Sequence, residues 1–148
     1  MAKYHRVLLA TDFCSDNDVV IDKAAETARM YNADLWAIHV IEPMPAAYGT
    51  ETTGAWSERY SILQCDVRRS AETMMAELQT RFEIPAERTR ITEGRPAKAI
   101  HRFAEENSID LIVMGTHGQH GLGLLLGSTA NSVLHGIACD SLIVRIGG

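Results

Sequence analysis

The sequence is poor in the features that would assign it to several large classes. It has three cysteines, Cys14, Cys65 and Cys139, an odd number at wide spacings with no C-x-x-C pair. That disfavours a disulfide framework or a structural zinc site, and the three read as reduced, mostly buried thiols. No apolar run is long enough to cross a bilayer. The first residues, Met1 to Arg6, lead straight into a strand-like segment without the apolar stretch of a secretory signal. The expected setting is the cytoplasm, away from any membrane. There is no basic tract, and the formal net charge is −5. A dedicated nucleic-acid binder needs a positive face, so no nucleic-acid partner is expected. His5, His39, His101 and His135 are scattered without ligand spacing, so no metal site is expected from them. A chain of 148 residues suits one domain, 1–148, around one core.

Glycine, in contrast, is concentrated in one place. Residues 115–127 hold Gly115, Gly118, Gly121, Gly123 and Gly127. An apolar run, 111–114, precedes them. A helix-start signal, Ser128-Thr129, follows, with Ala130, Val133, Leu134 and Ile137 at helical spacing. Strand, glycine loop and helix start together suit a phosphate, because glycines let the backbone approach an anion and the first helical N–H groups lack internal partners. A merely flexible connection is the plainer alternative, but each glycine costs folding entropy and so many need a reason. Other phosphate motifs fail. No lysine precedes Ser128, as G-x-x-x-x-G-K-[ST] requires, and no glycine follows the first strand, as the dinucleotide fingerprint requires.

The remaining chain alternates strand and helix. Strands are expected at 6–11, 35–41, 88–93, 111–114 and 141–146. The first is apolar almost throughout, as in a parallel sheet covered on both faces. Ser15 with Asp18 resembles the capped start of a helix, which carries Val20, Ala24, Ala28 and Tyr31 inward. Residues 42–57 read as a long loop. A helix over 58–82 places Tyr60, Leu63, Val67, Ala71, Met74, Leu78 and Phe82 on one stripe. Pro96 suits the first turn of a third helix, with Ala97, Ile100 and Phe103 or Ala104 inward. The strand at 88–93 is polar enough for a sheet edge. The pattern predicts an α/β doubly wound, five-stranded parallel sheet with helices on both faces.

Such sheets bind ligands outside the carboxyl ends of their strands, where the winding reverses. With strand order 3-2-1-4-5, Asp12 and the glycine loop face each other there. The loop and helix start would hold phosphates. Asp12 would accept ribose hydroxyls or coordinate a divalent ion, while the backbone near Val40 meets a base edge and Met114 packs beneath. His117 is a candidate phosphate donor, whereas His120 reads as solvent-facing. Leu122, Leu124, Leu125 and Leu126 read as cover for the core. Cys14 stands near a helix start but reads as a packed thiol rather than a redox sensor. The last strand is long and apolar for an exposed edge, which favours pairing with another chain.

These segments together resemble the universal stress protein family. The resemblance covers essentially the whole chain and rests on Leu9-Ala10-Thr11-Asp12, Ile38-His39-Val40, Gly94-Arg95-Pro96, Met114-Gly-Thr-His-Gly118, Leu126-Gly-Ser128 and Asp140-Ser-Leu-Ile-Val-Arg145. It implies the order 3-2-1-4-5 and homodimers paired through the last strand, from Ser141 to Ile146. It also implies ATP binding in the branch that carries G-x2-G-x9-G-[ST]. Here Gly115, Gly118, Gly127 and Ser128 are kept, but only eight residues separate Gly118 from Gly127, one fewer than the pattern. Cys14 stands where the family often has a serine. The resemblance carries nucleotide contacts onto Asp12, Val40, Gly115, Gly118, Gly127, Ser128 and Thr129, and the neighbouring Ala10, Thr11, Met114 and His117 complete the candidate site. The expected ligand is ATP, alone or with Mg²⁺ or Mn²⁺; AMP and ADP are not separable from it by residues. With no Walker-type lysine, no arginine near the loop and no base beyond Asp12 or His117, at most slow hydrolysis is expected. The expected role is a stress-response regulator or adaptor with protein partners still to be named, and the competing one is an interaction protein of the same fold with an empty crevice.

Overall fold

The computed structural model describes residues 3–13, 17–43, 55–116 and 127–146. Strand β1 (Arg6–Ala10) is the centre of the sheet. Its middle residues Val7, Leu8 and Leu9 are fully buried, alternate side chains going to opposite faces. It pairs in parallel with β2 (Asp34–Ile41) on one side and β4 (Leu111–Gly115) on the other, so that Leu8 lies between Trp36 and Ile112. β3 (Thr89–Glu93) extends the sheet beyond β2, and β5 (Asp140–Val144) beyond β4. The order is β3-β2-β1-β4-β5 with every neighbouring pair parallel; the alternation predicted the parallel sheet, and the family resemblance implied its order.

Two cores follow from the pleat. Val7, Leu9, Ala37, Leu111 and Val113 pack against helix α1 (Asp18–Tyr31) and the second half of α2 (Ala55–Phe82). Leu8, Ile38, Ile112 and Met114 pack against α3 (Pro96–Glu106) and α4 (Ser128–Leu134). Each fully buried Leu or Ile contributes roughly 1.5–3 kcal/mol relative to exposure. At the amino ends of the strands, the Asp110 carboxylate accepts the N–H groups of His5 (2.9 Å) and Arg6 (3.1 Å), and Arg6 Nη1 donates to the Asn107 carbonyl at 2.6 Å. These bonds pin β1 to the turn before β4.

Several expectations shift. β1 ends at Ala10 rather than at residue 11, although the Thr11 amide still donates to the Ile38 carbonyl at 3.1 Å. The cap of α1 is Asn17, which makes no side-chain cap bond; Ser15 lies outside the described residues. Tyr31 is not inward: it is 38% exposed and meets Tyr4 edge-on, because it falls on the last residue of α1, past the sheet. α2 starts at Ala55, earlier than predicted, and residues 44–54 of the expected loop lie outside the described set. Among the described side chains of α2, only those of the second half are core. Ala71, Met75 and Leu78 are buried, Met74 is half-buried, but Leu63 and Val67 are 48% and 42% exposed. The stripe holds only where the sheet stands beneath the helix; the side chain of Tyr60 lies outside the described set. Helix α4 stops at Leu134, so Ile137 packs from the following turn, past Gly136 at φ +74°. A short 3-10 turn, Ala86–Arg88, precedes β3. Cys139 is half-buried, but Cys65 is exposed on α2, contrary to the expected burial, because it too lies on the unpacked half; Cys14 lies outside the described residues. No helix among the described residues is long and apolar enough to cross a membrane.

Candidate functional site

A cleft of about 1100 Å³ opens at the carboxyl ends of β1, β2 and β4. This is where the winding reverses, since β1 leads to β2 on one side while β4 sits on the other. Ala10, Thr11, Asp12, Val40, Met114, Gly115, Gly127, Ser128 and Thr129 all line it. The other two predicted members, His117 and Gly118, lie outside the described residues, as do His120 and Leu122 to Leu126.

Thr11 is the fixed point of one wall. Its hydroxyl oxygen accepts the Phe13 amide at 3.1 Å and the side-chain amide of buried Asn17. Its carbonyl lies 2.8 Å from Nδ1 of His39. A carbonyl only accepts, so Nδ1 carries the proton. The His39 ring stacks obliquely on Phe13, with centroids 4.6 Å apart, and Phe13 has a left-handed backbone, φ 58°. Burial pushes the His39 pKa below its ordinary value, against smaller opposing effects of the Thr11 carbonyl and the Asp12 charge. The ring is therefore favoured as neutral.

The opposite wall joins β4 to α4. The Gly127 amide donates to the Thr116 carbonyl at 2.6 Å, which brings the two ends of the glycine segment together. The Thr116 amide donates to the Val144 carbonyl at 2.9 Å, and the Ile146 amide donates to the Thr116 hydroxyl at 3.1 Å. Gly127 is the cap of α4. Its own N–H is thus spent on Thr116, and the backbone donors left for a ligand are those of the first turn, at Ser128 and Thr129. Gly115 has a packing reason to be glycine. A Cβ there would overlap Cδ1 of Ile146 and come within 3.1 Å of Cγ2 of Val20.

Asp12, Glu42 and Asp66 line the cleft, with Arg95 as a lining cation. Arg95 is the cap of α3, between Gly94 at φ +138° and Pro96. The expectation of no arginine near the glycine loop concerns residues outside the described set. Among the described residues no group of three or more histidine, cysteine or acidic side chains forms a metal cage. A divalent ion would instead fit in the manner of magnesium, held by one carboxylate and the oxygens of a bound phosphate. His39 and Arg95 were passed over in the sequence because His39 looks like one more strand residue and Arg95 like a turn residue. The signal that finds them is topological: each stands at the carboxyl end of a strand on the β2 side of the reversal, His39 on β2 and Arg95 just after the edge strand β3.

The profile described as the Universal stress protein family matches residues 3–145. Universal stress protein A homolog 1 of Coxiella burnetii is 41% identical, covering 95% of this chain and 96% of its own. Universal stress protein MJ0531 of Methanocaldococcus jannaschii is 32% identical, over 96% of this chain and 82% of its own. Among solved structures, a universal stress protein UspA from Lactobacillus plantarum superposes with a TM-score of 0.81 at 24% identity, over 98% of this chain and all (100%) of its own. A universal stress protein solved in complex with cAMP superposes at 0.65 and 24% identity, over 99% of this chain and 100% of its own.

Proposed function

The chain belongs to the universal stress protein family, and from that premise we propose that it binds an adenine nucleotide, ATP in the first instance, and acts as a stress-response regulator or adaptor. The observation that carries this reading is the convergence of Asp12, Val40 and the Ser128–Thr129 turn on one cleft at the winding reversal. The cleft's size suits the ligand: small-molecule sites run to ~300–1,000 Å³, and this one reaches about 1100 Å³. The relative solved with cAMP supports the adenine nucleotide class.

In this reading the residues divide the ligand between them. The Asp12 carboxylate accepts the ribose hydroxyls. The Val40 backbone meets the base edge, with Met114 and Ala10 beneath. The amides of Ser128 and Thr129 hold phosphate oxygens, Gly127 leaves room for them, and His117 and Gly118 complete the grip. Magnesium or manganese, when bound, neutralises phosphate charge beside three lining carboxylates. Binding rather than turnover is the proposed activity, in the cytoplasm, with AMP and ADP as further ligands.

Mass spectrometry of whatever co-purifies with the protein, released by acid, tests this. An adenine nucleotide near one per chain supports it. Protein that carries none and gains no melting temperature with millimolar ATP favours an adaptor with an empty cleft. We further propose a homodimer through the last strand, expected over Ser141 to Ile146; β5 itself runs Asp140–Val144, and Ile146 beyond it is buried in the core. β5 pairs only with β4 among the described strands, and its residues Leu142 and Ile143 are half-buried, which leaves an edge suited to pairing. Sedimentation velocity distinguishes dimer from monomer.

A further inference from the structure

We propose that His39 is a positioning residue of this cleft: its Nδ1–H bond to the Thr11 carbonyl holds the turn through Asp12 and Phe13 in the form that presents Asp12 to a ligand's hydroxyls, a role that rests on the nucleotide reading above.

The sheet ladder ends just before Asp12, so something other than the ladder must fix that residue. His39 acts on both sides of it. Before Asp12, Nδ1 donates to the Thr11 carbonyl at 2.8 Å. After Asp12, the imidazole ring supports the ring of Phe13 at a centroid distance of 4.6 Å. Phe13 needs that support, because φ 58° is a strained backbone for a bulky side chain and persists only where its surroundings over-determine it. The Phe13 amide is tied back to Thr11 Oγ1, and buried Asn17 holds the same oxygen. Thr11, His39, Phe13 and Asn17 thus form one frame with Asp12 at its centre. His39 belongs to β2 and Asp12 follows β1, so the frame also ties the ribose-binding carboxylate to the strand whose Val40 meets the base. Removing the imidazole releases the Thr11 carbonyl and the Phe13 ring together.

Side-chain geometry separates positioning from simple packing. Asparagine brings an amide donor close to the place of Nδ1, whereas leucine fills the space without a donor. The experiment compares full-length wild type, His39→Asn, His39→Leu, Asp12→Ala and the His39→Leu/Asp12→Ala double variant at pH 7.5. Each is titrated calorimetrically with MgATP and with its 2′,3′-dideoxy analogue, which lacks the hydroxyls. The wild type prefers ATP over the analogue. His39→Leu loses about tenfold in ATP affinity, the size of one hydrogen bond. Its preference for ATP over the analogue shrinks as in Asp12→Ala, and the double variant binds no worse than Asp12→Ala. His39→Asn keeps the wild-type preference. A His39→Leu protein with wild-type preference, or a His39→Asn protein as weak as His39→Leu, overturns the proposal.

Amide spectra of the ligand-free proteins supply a readout that does not depend on nucleotide. The Thr11 and Asp12 resonances move in His39→Leu and move less in His39→Asn, which restores the donor to the Thr11 carbonyl, while Phe13, which loses the imidazole ring in both variants, moves in both. If the wild type binds no nucleotide, the ligand reading fails separately, and unmoved resonances in His39→Leu overturn the positioning role on their own.

Discussion

Gly115 and Ile146 occupy one another's space. The Cδ1 of Ile146 fills the volume that a side chain at 115 would take, with Ile146 Cγ1 and Val20 Cγ2 each 3.1 Å from that point. The last glycine of β4 thus lets the chain after β5 and helix α1 close on the sheet directly behind the cleft. The obstructing atom is the end of a flexible side chain. Gly115→Ala is therefore expected to cost about 1–3 kcal/mol, the range for overpacking a core. Gly115→Ala/Ile146→Val, which removes Cδ1, recovers much of that loss. Urea denaturation of both variants checks it; equal destabilisation in the single and double variants would contradict the packing account.

Asp110 joins the amino ends of β1 and β4 through two backbone N–H groups, those of His5 and Arg6. Asp110→Ala leaves both without their acceptor, the Arg6 N–H in a partly buried place and the His5 N–H exposed to water. The expected loss is about 1–3 kcal/mol, with Asp110→Asn intermediate because it keeps one acceptor oxygen. Nucleotide affinity at the far end of the sheet stays unchanged. Equilibrium unfolding with a parallel ATP titration checks both halves of this statement.

His39 makes stability depend on pH in a stated direction. Burial is the largest effect on its ring and lowers the pKa from the ordinary 6.5, with the charge of Asp12 opposing. Between the two values the unfolded chain binds a proton that the folded chain excludes. The stability from a neutral His39 is therefore fully present above pH 6.5 and is lost as pH falls through the lowered folded value. His39→Asn removes this component, so its denaturation midpoint falls less on acidification through that window. Identical slopes in wild type and variant would contradict it.

The two described cysteines differ in reactivity. Cys65 is exposed on α2, while Cys139 is half-buried, its thiol pKa raised by burial and then by Asp140 and Asp110. In a Cys14→Ser background, a soluble disulfide reagent at pH 8 modifies Cys65 first, and Cys139 follows at least about tenfold more slowly, because the thiolate is the attacking species. Equal rates would contradict the burial of Cys139.

The parallel sheet was legible because alternating apolar strands and helices leave few right-handed topologies; its strand order came with the family resemblance, and given that order Asp12, Val40 and Ser128 could be placed on one crevice. The first half of α2 was not. Leu63 and Val67 keep the helical period but have no sheet beneath them, and periodicity does not report where a helix overhangs its partner. Gly115 was assigned to phosphate binding because a glycine shows only that a side chain is absent; what fills the space, Ile146, comes from the far end of the chain. The frame around Asp12 was hidden for the same reason. Thr11 and His39 lie 28 positions apart, and no local pattern announces the bond between them.

The central claim is that Asp12 and the Ser128–Thr129 turn act together on one nucleotide. Isothermal titration of the full-length protein with MgATP, wild type beside Asp12→Ala, tests it most directly. The account predicts saturable heat near one nucleotide per chain, weakened about tenfold or more by loss of the Asp12 acceptor. No saturable heat in the wild type, or equal affinity in the two proteins, would contradict it.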